Sequence, residues 1–205
     1  MGTLAGLMAT IEHVTPEGGA WCDVDKASHL AALVLALRPR TIVEIGVFLG
    51  GSLIPMALAQ QRYAEPGIHK TIAIDPWAAG PAIEGELDAK HVDWWGKVDY
   101  ELTLARFVRR IEKHGLTELV QIMRRPSNDV TPPAPLDLCH IDGNHREQAV
   151  TDVERFAPNI PPGGILVLDD LEWSGAHVQR AYSLAQGLGF RTLYKLGTGC
   201  AMIRA

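Results

Sequence analysis

Cysteine is scarce in this chain. Cys22, Cys139 and Cys200 are three in 205 residues, odd in number, widely spaced and never in a CxxC pair, which excludes a disulfide framework and a CxxC zinc site. A reducing cytoplasm is the expected compartment. Long apolar runs are missing too: the longest, LAALVLAL at 30–37, falls far short of the ~20 residues of a membrane span, and no basic segment leads into an apolar leader. A membrane is not an expected partner. With a formal net charge of −5 and arginine pairs scattered at Arg109/Arg110 and Arg124/Arg125, there is no basic stripe to track a phosphate backbone. Nucleic acid is therefore not expected either. Internal repeats and low-complexity tracts are also absent, and 47% apolar residues without a break in composition predict one buried domain over 1–205.

What is present alternates. The run 25–39 has helical length and stops at Pro39, and the β-branched run TIVEIG at 41–46 predicts a buried strand. A helix over 50–63 tolerates Pro55 near its first turn, and KTIAIDPW at 70–77 predicts the next strand. A loop-like insertion rich in glycine, acids and tryptophan spans about 76–98. Residues 100–115 place Leu104, Phe107, Val108 and Ile111 on one helical face and end in Gly115. Strands are predicted at 118–124, 135–142 and 163–170, helices at 146–158 and 176–189, and a hairpin-like pair at 190–204. The expected fold is α/β, a doubly wound, mostly parallel seven-stranded sheet with an antiparallel last strand. Ligands of such sheets sit beyond the carboxyl ends of the strands.

The chemically interesting residues fall at those ends. VEIGVFLGGS (43–52) turns from strand to helix through Gly46 and Gly50, where backbone can approach a ligand closely. Its spacing is GxxxGG, so the GxGxxG of a nicotinamide-dependent dehydrogenase is missing, and a dehydrogenase would leave the acids Asp142, Asp169 and Asp170 unexplained. EIGVFLGGS, AIDPW and HIDGNHREQAVTDVERFAPNIPPGGILVLDD together resemble the class I S-adenosylmethionine-dependent, metal-dependent O-methyltransferases acting on antibiotic and other sugars. The resemblance covers roughly Thr41 to Asp170. It implies that Glu44, Gly46, Gly50, Ser52 and Asp75 hold S-adenosylmethionine, with Asp75 taking the ribose hydroxyls. Ser127 would lie near the adenine, or serve simply as a turn serine.

Asp142 and the pair Asp169/Asp170 end strands expected to be neighbours, so three carboxylates should converge across a ~5 Å spacing. Such acids repel unless a cation sits between them. An all-oxygen set suits Mg²⁺, with Mn²⁺ as the other choice, and the competing reading is that Asp142 and Asp170 cap the helices that follow. In an extended strand Cys139 and His140 point to opposite faces, which disfavours zinc. Cys139 reads as a core hydrophobe and His140 as a strand-end residue with a satisfied ring nitrogen. In enzymes of the resembled family the base is a carboxylate two residues after the metal-binding Asp or a histidine three residues after it. Here those places hold Asn144 and His145, which implies His145 as base; a helix-start histidine bonded to backbone is the other reading.

Trp77, Trp94, Trp95 and Trp173 cluster in the insertion and just past Asp170, on the ligand side. Flat aromatic rims suit pyranose faces and planar phenols alike, while packing of a loop would account for each tryptophan singly. Trp77, Trp94, Trp95, Glu172 and Trp173 are the expected acceptor contacts. The expected acceptor is a small molecule or oligosaccharide, a methylmannose oligosaccharide among the candidates. A catechol-type acceptor, a non-catalytic S-adenosylmethionine-binding module and a homodimer remain open.

Overall fold

Asp23 starts the structure's second helix by accepting from the backbone N–H of Lys26 at 2.6 Å, and Arg38 ends it in the left-handed conformation before Pro39. In the computed structural model, which describes residues 3–19, 21–86 and 88–205, the elements run α1 (Leu4–Val14), α2 (Val24–Leu37), β1 (Thr41–Ile45), α3 (Leu53–Gln61), β2 (Lys70–Asp75), α4 (Ala79–Ile83), α5 (Ala89–Gly96), α6 (Tyr100–Lys113), β3 (Val120–Arg124), β4 (Leu138–Ile141), α7 (Glu147–Phe156), β5 (Ile165–Leu168), α8 (His177–Gly187), β6 (Phe190–Leu196) and β7 (Gly199–Arg204).

The seven strands form one sheet in the order β3-β2-β1-β4-β5-β7-β6. Strands β1 to β5 pair in parallel, and β7 runs antiparallel between β5 and β6, so the doubly wound sheet with an antiparallel last strand is what forms. Alternation along the buried strands divides the core. Ile42, Ala73, Leu138 and Val167 pack under α1, α2, α3 and α6, while Val43, Ile72, Cys139 and Leu168 pack under α7 and α8. Cys139 and His140 accordingly face opposite sides, and Ala149, Val150, Val153 and Phe156 of α7 are buried as the helical spacing requires. Among the described residues no helix is long and apolar enough to cross a membrane.

Two features depart from the sequence reading. The insertion at 76–98 is not a loop but carries α4 and α5, the latter started by Asp88, whose carboxylate accepts from Lys90 N at 2.8 Å. Helices of five and eight residues repeat their spacing too few times to register as a period. Helix α1, for which the sequence raised no expectation, buries Leu7, Ile11 and Val14 against α2 and α3.

Candidate active site

Strand register assembles the site. Ile45, Ile141 and Leu168 are aligned partners at the carboxyl ends of β1, β4 and β5, so Asp142 and Asp169 emerge side by side, still bonded through Asp142 N to Ile45 O (2.9 Å) and Asp169 N to Ile141 O (3.1 Å). The β1 chain crosses this exit at Gly46, whose φ is +85°. A Cβ there would lie 2.3 Å from the carbonyl oxygen of Asp142, so only glycine lets the two strand ends approach. Gly50, also at positive φ, gives its room to the ring of Phe107.

Glu44 and His140 are register partners on the same face, and both are wholly buried. Ser52 Oγ donates to Glu44 Oε1 at 2.7 Å, Glu44 Oε2 lies 3.4 Å from His140 Nδ1, and His140 Nε2 lies 3.9 Å from Asp142 Oδ2. Burial alone would lower the pKa of His140, but the carboxylates of Glu44 and Asp142 outweigh it and hold the imidazole above its ordinary value. His140 is thus poised between two acids, a correction to its reading as a satisfied strand-end ring. Glu44 and Ser52, expected to hold the cofactor, are bonded to each other beneath the β1–α3 loop. Any contribution they make to binding runs through the loop they anchor.

Lys26 was missed by sequence reasoning, because it stands in α2 outside every motif. Its Nζ is 3.0 Å from Asp142 Oδ2 and pairs also with Asp169, and only 9% of its side chain is exposed. Burial opposes its charge, yet Asp142 and Asp169 hold it well above the ordinary lysine value. Against the cost of its own burial, the Asp169 carboxyl is held below its usual range by Lys26, while burial and the neighbouring Asp169 push Asp142 up. A cation does sit between two of the acids, as their repulsion demands, and it is an ammonium group of this chain.

The three acids do not converge on one point. Donor atoms within 4.8 Å of one another group, among the described residues, as His140, Asp142 and Asp169 and as Asp142, His145 and Asp170. Asp170, at φ +49°, turns away from Asp169: its Oδ2 is 2.8 Å from His145 Nε2 and its Oδ1 accepts from Thr198 Oγ1 at 2.8 Å. The hydrogen bond to His145 is the main reason its carboxyl is held below the usual range. His145 packs edge-on against Trp173 (4.7 Å between ring centroids), and Trp173 stacks on His91 at 4.9 Å. The indole Nε1 of Trp173 is buried without a hydrogen-bond partner.

The residues flanking His145 clamp the insertion. Asn144 Nδ2 donates to the carbonyls of Pro81 (3.0 Å) and Glu84 (2.8 Å), and Arg146 pairs with Glu86 and donates to Ser174 O at 2.7 Å. The tryptophans divide. Trp77 is 1% exposed, stacks on Phe107 and donates its indole N–H to Phe48 O at 2.9 Å, so it is a core residue and not a rim. Trp94 and Trp95 join Phe48 and Trp21, the one tryptophan left out of the expected set, in an aromatic cluster with Trp21 and Trp94 about half exposed. Glu172 lies exposed beside Trp173.

Asp75 accepts three backbone N–H groups, from Val47 and Phe48 at 2.9 Å on Oδ2 and from Trp77 at 2.6 Å on Oδ1. Burial raises its pKa despite these donors. It therefore shapes the β1–α3 loop while Oδ1 keeps acceptor capacity. Ser127 is buried and donates to Asp152 Oδ1 at 2.6 Å, so its hydroxyl faces the protein; Gln148 bonds to both.

A family model described as a methyltransferase domain matches residues 43–171, which include Glu44, Asp75, Asp142, His145, Asp169 and Asp170 but not Lys26, Trp173 or Thr198. A curated relative, the uncharacterized protein y4gI of Sinorhizobium fredii, is 29% identical over 146 residues, covering 68% of this chain, and the chain spans only 14% of that protein's length. Among solved structures, the O-methyltransferase NovP superposes with a TM-score of 0.68 at 17% identity, covering 97% of this chain and 95% of that one. TomG of Streptomyces achromogenes, an O-methyltransferase solved with S-adenosylmethionine, gives 0.62 at 17% over 97% and 90%. An O-methyltransferase of Bacillus cereus, solved with S-adenosylhomocysteine, gives 0.62 at 16% over 97% and 91%. These likenesses establish the fold.

Proposed function

This chain belongs to the methyltransferase-domain family, and from that premise we propose that it moves the methyl group of S-adenosylmethionine to a hydroxyl oxygen of a small-molecule acceptor, a sugar or oligosaccharide first among them. The observation that carries the reading is the triad of Asp170, His145 and Trp173 at the carboxyl end of the sheet. Asp170 holds one ring nitrogen of His145 at 2.8 Å, and Trp173 lies against the same ring.

His145 takes the acceptor's hydroxyl proton, and Asp170, itself fixed by Thr198, orients the ring and stabilises the imidazolium that forms. Trp173 presents an apolar surface beside the base on which a flat acceptor face can rest. Asp75 would hold the cofactor's hydroxyls with the capacity its amide donors leave, next to the loop it braces. Asp142 and Asp169 would hold a divalent cation, Mg²⁺ or Mn²⁺, with Asp170 near enough to Asp142 to join them, and buried His140, whose Nε2 faces Asp142 Oδ2 from 3.9 Å, would be a further neighbour of that ion. When bound, S-adenosylmethionine supplies the electrophilic methyl and the metal supplies a fixed seat for two acceptor oxygens. Lys26 must then give way.

The test is turnover of radiolabelled S-adenosylmethionine by the purified chain over separate pools of sugars, methylmannose oligosaccharides and catechols, with and without EDTA. Transfer to the sugar pool that EDTA abolishes and Mg²⁺ restores is the expected result. Transfer confined to catechols would overturn the acceptor class, full activity after exhaustive chelation would overturn the metal, and no transfer to any pool would favour a non-catalytic cofactor-binding module.

A further inference from the structure

Lys26 reaches from the first turn of α2 to the carboxyl ends of β4 and β5, where its ammonium meets Asp142 and Asp169. Had this group been needed only to neutralise two acids for folding, the surrounding polar atoms should be satisfied, since buried donors and acceptors without partners are costly. They are not. His140 is 0% exposed, and its ring nitrogens reach Glu44 Oε2 (3.4 Å) and Asp142 Oδ2 (3.9 Å) as ion-pair contacts, neither of them a hydrogen bond. Donor atoms of His140, Asp142 and Asp169 lie within 4.8 Å of one another, close to the spread of about 3–4 Å between ligand atoms of an octahedral ion. The ammonium stands in a cluster with the makings of a metal shell.

We propose that Lys26 is a resident counter-cation that competes with a divalent metal ion for Asp142 and Asp169, so that the metal binds only as the ammonium withdraws. This rests on the reading of the centre as a metal site. Two cations cannot share these carboxylates, because like charges about 4 Å apart in a buried setting repel strongly. Withdrawal is open to the side chain without moving the fold: the backbone of Lys26 is pinned by the Asp23 cap, whereas its four-carbon stem is flexible. An arginine would keep the charge, and methionine or glutamine would remove it at similar length.

The experiment is titration of the wild-type chain, Lys26→Met, Lys26→Gln and Lys26→Arg with Mn²⁺, read by electron paramagnetic resonance of the free ion. The neutral variants should bind Mn²⁺ on the order of tenfold more tightly or better, since the metal no longer displaces a buried charge, and Lys26→Arg should bind no more tightly than wild type. Lys26→Gln can still donate to the carboxylates, so it keeps the test open if Lys26→Met fails to fold. Equal or weaker binding by the neutral variants, or arginine binding as tightly as they do, overturns the competition. Chelation of wild type during methyl transfer separates the two ideas. EDTA-resistant transfer together with tightened Mn²⁺ binding sinks the metal's catalytic role and keeps Lys26 as a competitor. EDTA-sensitive transfer with unchanged binding does the reverse.

Discussion

At the scale of single residues, His145 carries the sharpest expectation. His145→Ala should lower turnover on the order of 10²–10⁴ while S-adenosylhomocysteine affinity, measured by calorimetry, changes less than about twofold, because the ring contacts Asp170 and Trp173 and no expected cofactor ligand. Near-wild-type turnover would pass the role of base to another group. Asp152 offers a different, pH-dependent test. Burial raises its carboxyl to about 6, against the hydrogen bonds from Ser127 and Gln148 that favour its charge, and its Oδ2 has no partner. The folded state therefore holds a proton that the unfolded chain releases near its ordinary pKa of 3.8. Between those two values the native state binds more protons than the unfolded one, so the contribution to stability grows as pH falls from above 6 and shrinks as pH rises. Denaturant unfolding should show Asp152→Asn losing this slope, which in wild type amounts to about 3 kcal/mol at most. A parallel pH dependence in both proteins would mean that Asp152 is charged in the fold.

At the scale of elements, the segment around the base and the β1–α3 loop are each held by a few contacts. Arg146 joins the start of α7 to Glu86 in the insertion and to Ser174 past β5. Arg146→Met should leave S-adenosylhomocysteine affinity intact, raise the acceptor's KM several-fold and expose 76–98 to limited proteolysis; an unchanged cleavage rate would show that α4 and α5 are held otherwise. Gly46→Ala brings a Cβ to 2.3 Å from Asp142 O at a φ of +85°, and should cost roughly 2 kcal/mol or more in a thermal melt. The strands, and the helices of nine or more residues except α1, were legible because spacing, Pro39 and Gly115 punctuate them. The insertion helices were not, because each completes too few turns to repeat its pattern.

At the scale of the molecule, cofactor binding is coupled to folding by mass action. At about 100 times its Kd, S-adenosylhomocysteine should add roughly 2.7 kcal/mol and raise the melting temperature by several degrees. Asp75→Ala should abolish most of that rise. It should also lower the ligand-free melting temperature, since the carboxylate holds the amides of Val47, Phe48 and Trp77. An undiminished rise in a folded variant would remove Asp75 from the cofactor site.

Alternating runs, punctuated by glycine and proline, determined the sheet and its winding, because strand and helix periods are local properties of the chain. The sequence alone also determined that Asp142, Asp169 and Asp170 stand at strand ends and that His145 follows the turn after one of them, since position along the chain is one-dimensional. Which of them touch was decided only by tertiary structure. Asp170 turns to His145 because its backbone enters the left-handed region, and Trp77 enters the core because Phe107 and the carbonyl of Phe48 await it. Lys26 could not be found by motif or spacing. It stands 116 residues before Asp142, and only the packing of α2 over β1, β4 and β5 brings its charge to the acids whose repulsion had called for a cation.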